Sequence, residues 1–185
     1  MRFKKIFELL HSKVILLFYY LIYGKKLKMN FFDSFFQGEL CLSDGYIIVG
    51  RKFRARKNVT INVTSGKLTI GDDVFMNRGV SLNLHDSISI GSNTMFGENI
   101  CVYDHDHVFD EPNKLFKEQG FKTKPVVIGK NVWIGSGTII LAGSVIGDNS
   151  IIAAGSLVKG EVIKDSLFCQ KRSADLVPLA NKLSR

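Results

Sequence analysis

Two histidines one residue apart, in Tyr103-Asp104-His105-Asp106-His107, are the side chains here best suited to moving a proton. Imidazole titrates near neutral pH and is the commonest general base. If the segment is extended, a period of two puts Tyr103, His105 and His107 on one side and Asp104 and Asp106 on the other. A carboxylate or carbonyl on the second ring nitrogen would then fix the tautomer. A lone histidine is more often a surface or capping residue. The location of this pair, at a break in a long repeat, is what favours chemistry. The single tryptophan, Trp133, is the other side chain that stands out.

The repeat is clearest downstream of the histidines. Ile128, Ile134, Ile140, Ile146, Ile152 and Val158 recur every sixth residue, with Asn131, Gly137, Gly143, Asn149 and Gly155 in the same phase. A period of six fits neither a helix nor a simple strand. It fits a parallel β-helix whose aliphatic residues point inward and whose Gly and Asn turn the corners. Trp133 precedes an inward position and is expected to face out, as a surface groove contact. Upstream, Ile70, Met76 and Leu82 keep the spacing, as do Ile90, Phe96 and Val102. The slip between these sets predicts small insertions near 64–66 and 84–86. The coil is expected to begin near Ile47–Gly50 and to make about five turns, a prism roughly 25 Å tall. The hexads stop after Val102 and resume at Val126. A repeat broken by one long loop usually carries function there.

The stretch FMNRGVSLNLHDSISIGSNTMFGENICVYDHDHVFD, followed by NVWIG, resembles the hexapeptide-repeat sugar O-acetyltransferases of the maltose, galactoside and nodulation type, with a DHxH variant like that of polysaccharide and O-antigen O-acetyltransferases. The resemblance spans roughly residues 45–165. It implies a left-handed β-helix, a homotrimer with sites between neighbouring prisms, acetyl-CoA as acyl donor and a carbohydrate acceptor. His107 takes the catalytic position and His105 shares the base role or binds acceptor. Asn77, Tyr103, Asp104 and Asp106 are the implied acceptor-side residues. Trp133 would lie beside pantetheine, Gly135 would admit it closely, and backbone groups at Ala142 and Ala154 would bond its amides. Lys159, Lys171 and Arg172 would meet phosphates. Val108 stands where the family has proline, and the tail motif lacks its proline.

Composition sets the remaining expectations. A net charge of +8 suits an anionic partner. Cys41, Cys101 and Cys169 lie far apart, which argues for a reducing compartment and against a zinc ribbon. The basic run Arg51–Lys57 has no aromatic interleaving, so no nucleic-acid partner is expected. Residues 3–23 read as a helix whose apolar run Val14–Tyr23 is followed by GKKLK, so no signal peptide is expected. That helix either lies on an anionic membrane or caps the open coil. Phe31, Phe32, Phe35 and Phe36 are expected to seal the bottom of the coil.

The resulting division is an amphipathic helix over 1–30, the β-helix over 31–165 with a loop at 103–125, and a strand and short helix over 166–185. The expected setting is cytoplasmic, or peripheral at the inner membrane face. No metal is expected. A zinc enzyme of the γ-carbonic-anhydrase kind would need His85, His105 and His107 as ligands, and His-x-His spacing does not match it. N-acetylation of an amino sugar or antibiotic, and a non-catalytic scaffold, remain the rival readings.

Overall fold

A computed structural model describes residues 2–171 and 173. The inward ladder read from the sequence is present. Ile128, Ile134, Ile140, Ile146, Ile152 and Val158 are all buried, as are Ile70, Met76, Leu82, Ile90, Phe96 and Val102. Each belongs to a strand paired in parallel with a neighbour one turn away, the register shift being one full coil. Asn131, Gly137, Gly143, Asn149 and Gly155 all take positive φ at the corners, where Gly and Asn cost least. The result is a left-handed β-helix of about six turns, so about 29 Å of stacked strand.

The coil has three faces. The first runs upward through Ser81–Leu84, Cys101–Tyr103, Ile139–Ile140 and Leu157–Val158. The second runs through Ser87–Ile90, Val126–Ile128, Val145–Ile146 and Glu161–Val162. In the lower turns the strands Glu39–Val49 and Thr60–Ile70 pass through the corner between these two faces without a break. The third face runs from Phe35–Phe36 through Arg54–Ala55, Phe75–Met76, Met95–Phe96, Trp133–Ile134 and Ile151–Ile152 to Leu167–Phe168.

Coiling starts earlier than expected. Phe35–Phe36 already pairs with Arg54–Ala55, and Leu27–Lys28 with Ile47–Ile48. The long strand Glu39–Val49 buries Leu40 and Leu42, then Ile47 and Val49, alternating on either side of a break of phase, which hides the hexad. Coiling also runs past residue 165, to Phe168. The short helix expected near the C-terminus lies outside the described residues.

The helix Arg2–Tyr23 covers the first turn. Leu16 is buried in the core. The Ser12 hydroxyl accepts from the Phe36 N–H at 2.8 Å, Tyr19 from Leu40 at 3.0 Å and Tyr20 from Met29 at 3.1 Å. Tyr23 donates to the Leu40 carbonyl at 3.0 Å. These bonds satisfy backbone groups of an edge that no lower turn could pair. Of the four phenylalanines, Phe36 is fully buried and Phe31 packs on the core, whereas Phe32 is exposed.

Candidate active site at the interrupted corner

The loop leaves the coil at the corner between the first and second faces, after Cys101–Tyr103, and returns at Val126–Ile128. It opens as an antiparallel arm. His105–His107 pairs with Phe121–Thr123, placing His105 opposite Thr123 and His107 opposite Phe121. The Asp110 carboxylate meets Lys122 Nζ at 2.6 Å, which holds that carboxyl below its usual range. Gln119 is buried and ties the loop's far end. Its amide donates to the carbonyls of Glu111 and Lys114, and its oxygen accepts from the Glu111 N–H.

Asp104 sits at the root of the arm and is fully buried. Its Oδ1 accepts from the His85 N–H at 2.8 Å and its Oδ2 from the Asp86 N–H at 2.8 Å. Oδ1 also lies 3.0 Å from His105 Nδ1. Facing a carboxylate oxygen, which accepts, Nδ1 of His105 is the donor. The lone pair is therefore on Nε2. Asp104 is buried in the corner while His107 is exposed, as alternation requires, and the Asp104 carboxylate is engaged by His85, Asp86 and His105. It reaches His105 because Nδ1 hangs close to its own backbone.

Three rings frame His105: His85 at 4.0 Å, Phe121 at 5.2 Å and Tyr103 at 6.1 Å between centroids. Burial, and then repulsion from His105, lowers the His85 pKa. Burial, and then Cys101, raises that of Tyr103. Both groups are thus neutral around pH 7. His107 lies further along the arm, exposed, its ring 4.5 Å from Phe121. With Phe109, Phe116 and Lys117 it lines a hollow of about 440 Å³. Asp106 is exposed.

The remaining expected site residues lie elsewhere on the coil. Trp133 is 53% exposed on the third face, between Met95 below and Ile151 above, so it does face outward. Gly135 follows it, and a Cβ there would come within 2.5 Å of the Ala154 nitrogen. The next turn of the coil itself therefore requires glycine at 135. Asn77 stands in the same column as Gly97 and Gly135, two turns below Gly135, and its Oδ1 accepts from Arg56 at 3.1 Å. Ala142 and Lys159 turn the corner above the loop's stem, and Lys171 is exposed beyond the last strand. Arg172 lies outside the described residues.

One chain thus gathers Tyr103, Asp104, His105 and His107 at one corner, and Asn77, Trp133, Gly135 and Ala154 on the side opposite. Sequence reasoning missed His85 as a ring partner, Phe121 and Gln119. They lie 12 or more residues from the histidines; the stacking of one turn on the next brings in His85, and the folding back of the loop brings in Phe121 and Gln119. Among the described residues no group of three or more His, Cys, Asp or Glu side chains could hold a metal ion.

Comparison with known proteins fits this geometry. Residues 125–160 match the family described as bacterial transferase hexapeptide (six repeats). A probable acetyltransferase of Mycobacterium tuberculosis is 30% identical over 114 residues, covering 62% of this chain and 38% of the relative. The putative lipopolysaccharide biosynthesis O-acetyl transferase WbbJ of Escherichia coli K12 is 26% identical over 133 residues, covering 68% of each. AntD, an N-acyltransferase from Bacillus cereus, shares the fold, with a TM-score of 0.58 at 21% identity over 72% of each chain. The chain is a left-handed β-helix in which residues 125–160 match the transferase hexapeptide repeat, and proteins named as acetyltransferases are among those it is similar to.

Proposed function

We propose that this chain transfers an acetyl group from acetyl-CoA to a hydroxyl of a sugar, within a cell-surface polysaccharide or its precursor. The observation that carries the reading is the buried Asp104 carboxylate on His105 Nδ1, which leaves Nε2 as the acceptor at the long interruption of the coil between Tyr103 and Val126. In this reading Nε2 takes the acceptor's proton as its oxygen attacks the thioester carbon. Backbone N–H groups steady the oxyanion, and CoA leaves as a thiolate or takes the proton from imidazolium. The resemblance favours His107 for the same task; the carboxylate partner favours His105, with His107 lining the acceptor hollow beside it.

The donor side would be Trp133, Gly135 and Ala154, with Ala142, Lys159 and Lys171 nearer the phosphates. His105 and Trp133 sit on one turn, since the chain passes from the loop through Val126–Ile128 directly into Trp133–Ile134. They are on opposite sides of it. A trimer with parallel coil axes sets the corner of one copy level with the third face of the next, and so completes the site. The outward Met95, Trp133 and Ile151 column, each 39–53% exposed, supports such a contact.

The test is acetyl-CoA turnover against sugar acceptors. His105→Ala is expected to lose about 10²–10⁴-fold in rate, and His107→Ala mainly to raise the acceptor KM. Full activity in His105→Ala would sink the assignment of the base. A monomer in solution with full activity would sink the shared site.

A further inference from the structure

The helix Arg2–Tyr23 is mounted with its polar side inward. Ser12, Tyr19, Tyr20 and Tyr23 bond the first turn of the coil, and Lys13 Nζ donates to the carbonyls of Phe31 and Ser34. The apolar side is left outside. Phe3, Phe7, Leu10, Val14, Leu17, Phe18 and Leu21 are 52–88% exposed, and Ile6 and Ile22 flank them. A helix serving only as a lid would turn this side onto the coil.

We propose that this outer side lies in the surface of an anionic phospholipid bilayer. Charge complementarity selects that occupant. The apolar stripe runs directly into a cleft of about 600 Å³ lined by Lys25, Lys26, Lys28 and Lys67 over Tyr46 and Ile48. Lys26 is partly committed, to the Ser43 carbonyl at 3.0 Å and to Asp44 at 3.9 Å. No carboxylate lies within 4 Å of Lys25, Lys28 or Lys67 among the described residues. Apolar side chains beside such a cluster match acyl chains beside headgroup phosphates.

A second helix is a poorer fit. The exposed apolar arc is wider than a coiled-coil seam, and its flanks carry Ile6, Phe18 and Ile22 in place of pairing charges. The helix is also long and apolar enough to cross a membrane, at about 33 Å. Crossing would strip the four hydroxyls from the coil and take Glu8, His11 and Lys13 into hydrocarbon. It therefore lies in the plane, at the base of the prism. The histidine corner stands three turns above the first turn of the coil, about 14 Å. This inference is independent of the reaction proposed above.

The experiment is flotation of the full chain with vesicles of phosphatidylcholine alone or with about one third phosphatidylglycerol. Two variants accompany it. Phe7→Gln/Leu10→Gln/Leu17→Gln changes only exposed side chains, and Lys25→Glu/Lys28→Glu/Lys67→Glu reverses the cleft. Neither touches the acetyl-transfer residues, and both should keep the parent's melting temperature, oligomeric mass and activity on a soluble acceptor. The parent should float with the anionic vesicles, wash off in alkaline carbonate, and bind them at least tenfold more weakly at high salt. Each lysine reversal should weaken binding about fivefold, and the glutamine variant should stay unbound. No flotation of the parent would overturn the proposal. So would carbonate-resistant binding, which marks a spanning helix. A lower oligomeric mass in the glutamine variant would assign the face to a second copy and overturn it equally.

Discussion

The three corners of this coil behave differently. Above the first turn, the step between inward residues from second to third face, and from third to first, is six throughout: Ile70 to Met76 to Leu82, Ile90 to Phe96 to Val102, Ile128 to Ile134 to Ile140, Ile146 to Ile152 to Val158. From first to second face the step varies. It is nine from Ile61 to Ile70, eight from Leu82 to Ile90, six from Ile140 to Ile146 and four from Val158 to Val162. Between Val102 and Ile128 it holds the entire loop. Stacked partners accordingly stand 21 residues apart low in the coil, 18 above the loop and 16 at the last turn. Two corners carry the solenoid's register. The third is free to change length because it is an outer edge, where added residues leave both flanking ladders in place. The histidine arm is the longest case of a variation present at every level.

The sharpest way to break that contrast is insertion. Three residues, Thr-Ser-Gly as at 64–66, placed between Leu141 and Ala142 should cost no more than about 2 kcal/mol. The same three placed after Asp148, at a six-residue corner, should cost more than about 4 kcal/mol, because they push Ile152 out of the core ladder. Equal losses in chemical denaturation would show that the corners do not differ. Glycine replacement asks the same question locally. Gly66 has φ +81° at the variable corner, and a Cβ would overlap the Asp86 carbonyl oxygen of the next turn. Gly137 has φ +70°, and the nearest atom a Cβ would meet is 3.9 Å away. Gly66→Ala should therefore cost about 4 kcal/mol, from strain plus overlap, and Gly137→Ala about 1–2 kcal/mol from strain alone. The variable corner is long, but it is closely stacked.

Asp104 joins the two behaviours, since it binds one corner to the next. Asp104→Ala removes the acceptor of the His85 and Asp86 N–H groups and should cost about 2–4 kcal/mol, while leaving the upper coil's hydrogen-exchange protection unchanged. A loss spread evenly over all turns would show that the corner is not a separate unit. Activity should fall more than stability explains, because His105 loses its tautomer.

The upper coil was legible because its turns have 18 residues, so one period lines up all three faces. The lower coil was legible only in pieces, such as Ile70–Met76–Leu82, since each nine- or eight-residue corner resets the phase. The two long strands added a period of two that masked the start at Phe35. Within the site, the histidines and outward Trp133 could be placed from spacing. The partner of His105 could not, because strict alternation sends Asp104 the opposite way, and only the short reach of Nδ1 brings it back. His85 and Phe121 were hidden by sequence distance. The orientation of the N-terminal helix was hidden by its composition: tyrosine and serine hydroxyls outweigh leucine when the surface to be covered is an unpaired strand edge.

The smallest expected effect belongs to His85, which packs beneath the arm against His105 and Phe121. Burial is the main cause that lowers its pKa from 6.5; neighbouring His105 and His107 lower it too, and Asp104 works the other way. Below pH 6.5 the unfolded chain takes up a proton at this position more readily than the folded one. The slope of unfolding free energy with pH is then positive. The contribution is complete above about pH 6.5 and is lost as the pH falls through the lower folded value. For a ring at the corner's edge it amounts to less than about 1 kcal/mol. His85→Phe keeps the stacking and removes the titration, so its melting temperature should decline less than the parent's between pH 7 and pH 5. If the two curves run parallel, His85 is solvated like any surface histidine, and the variable corner is looser at this level than its ring contacts imply.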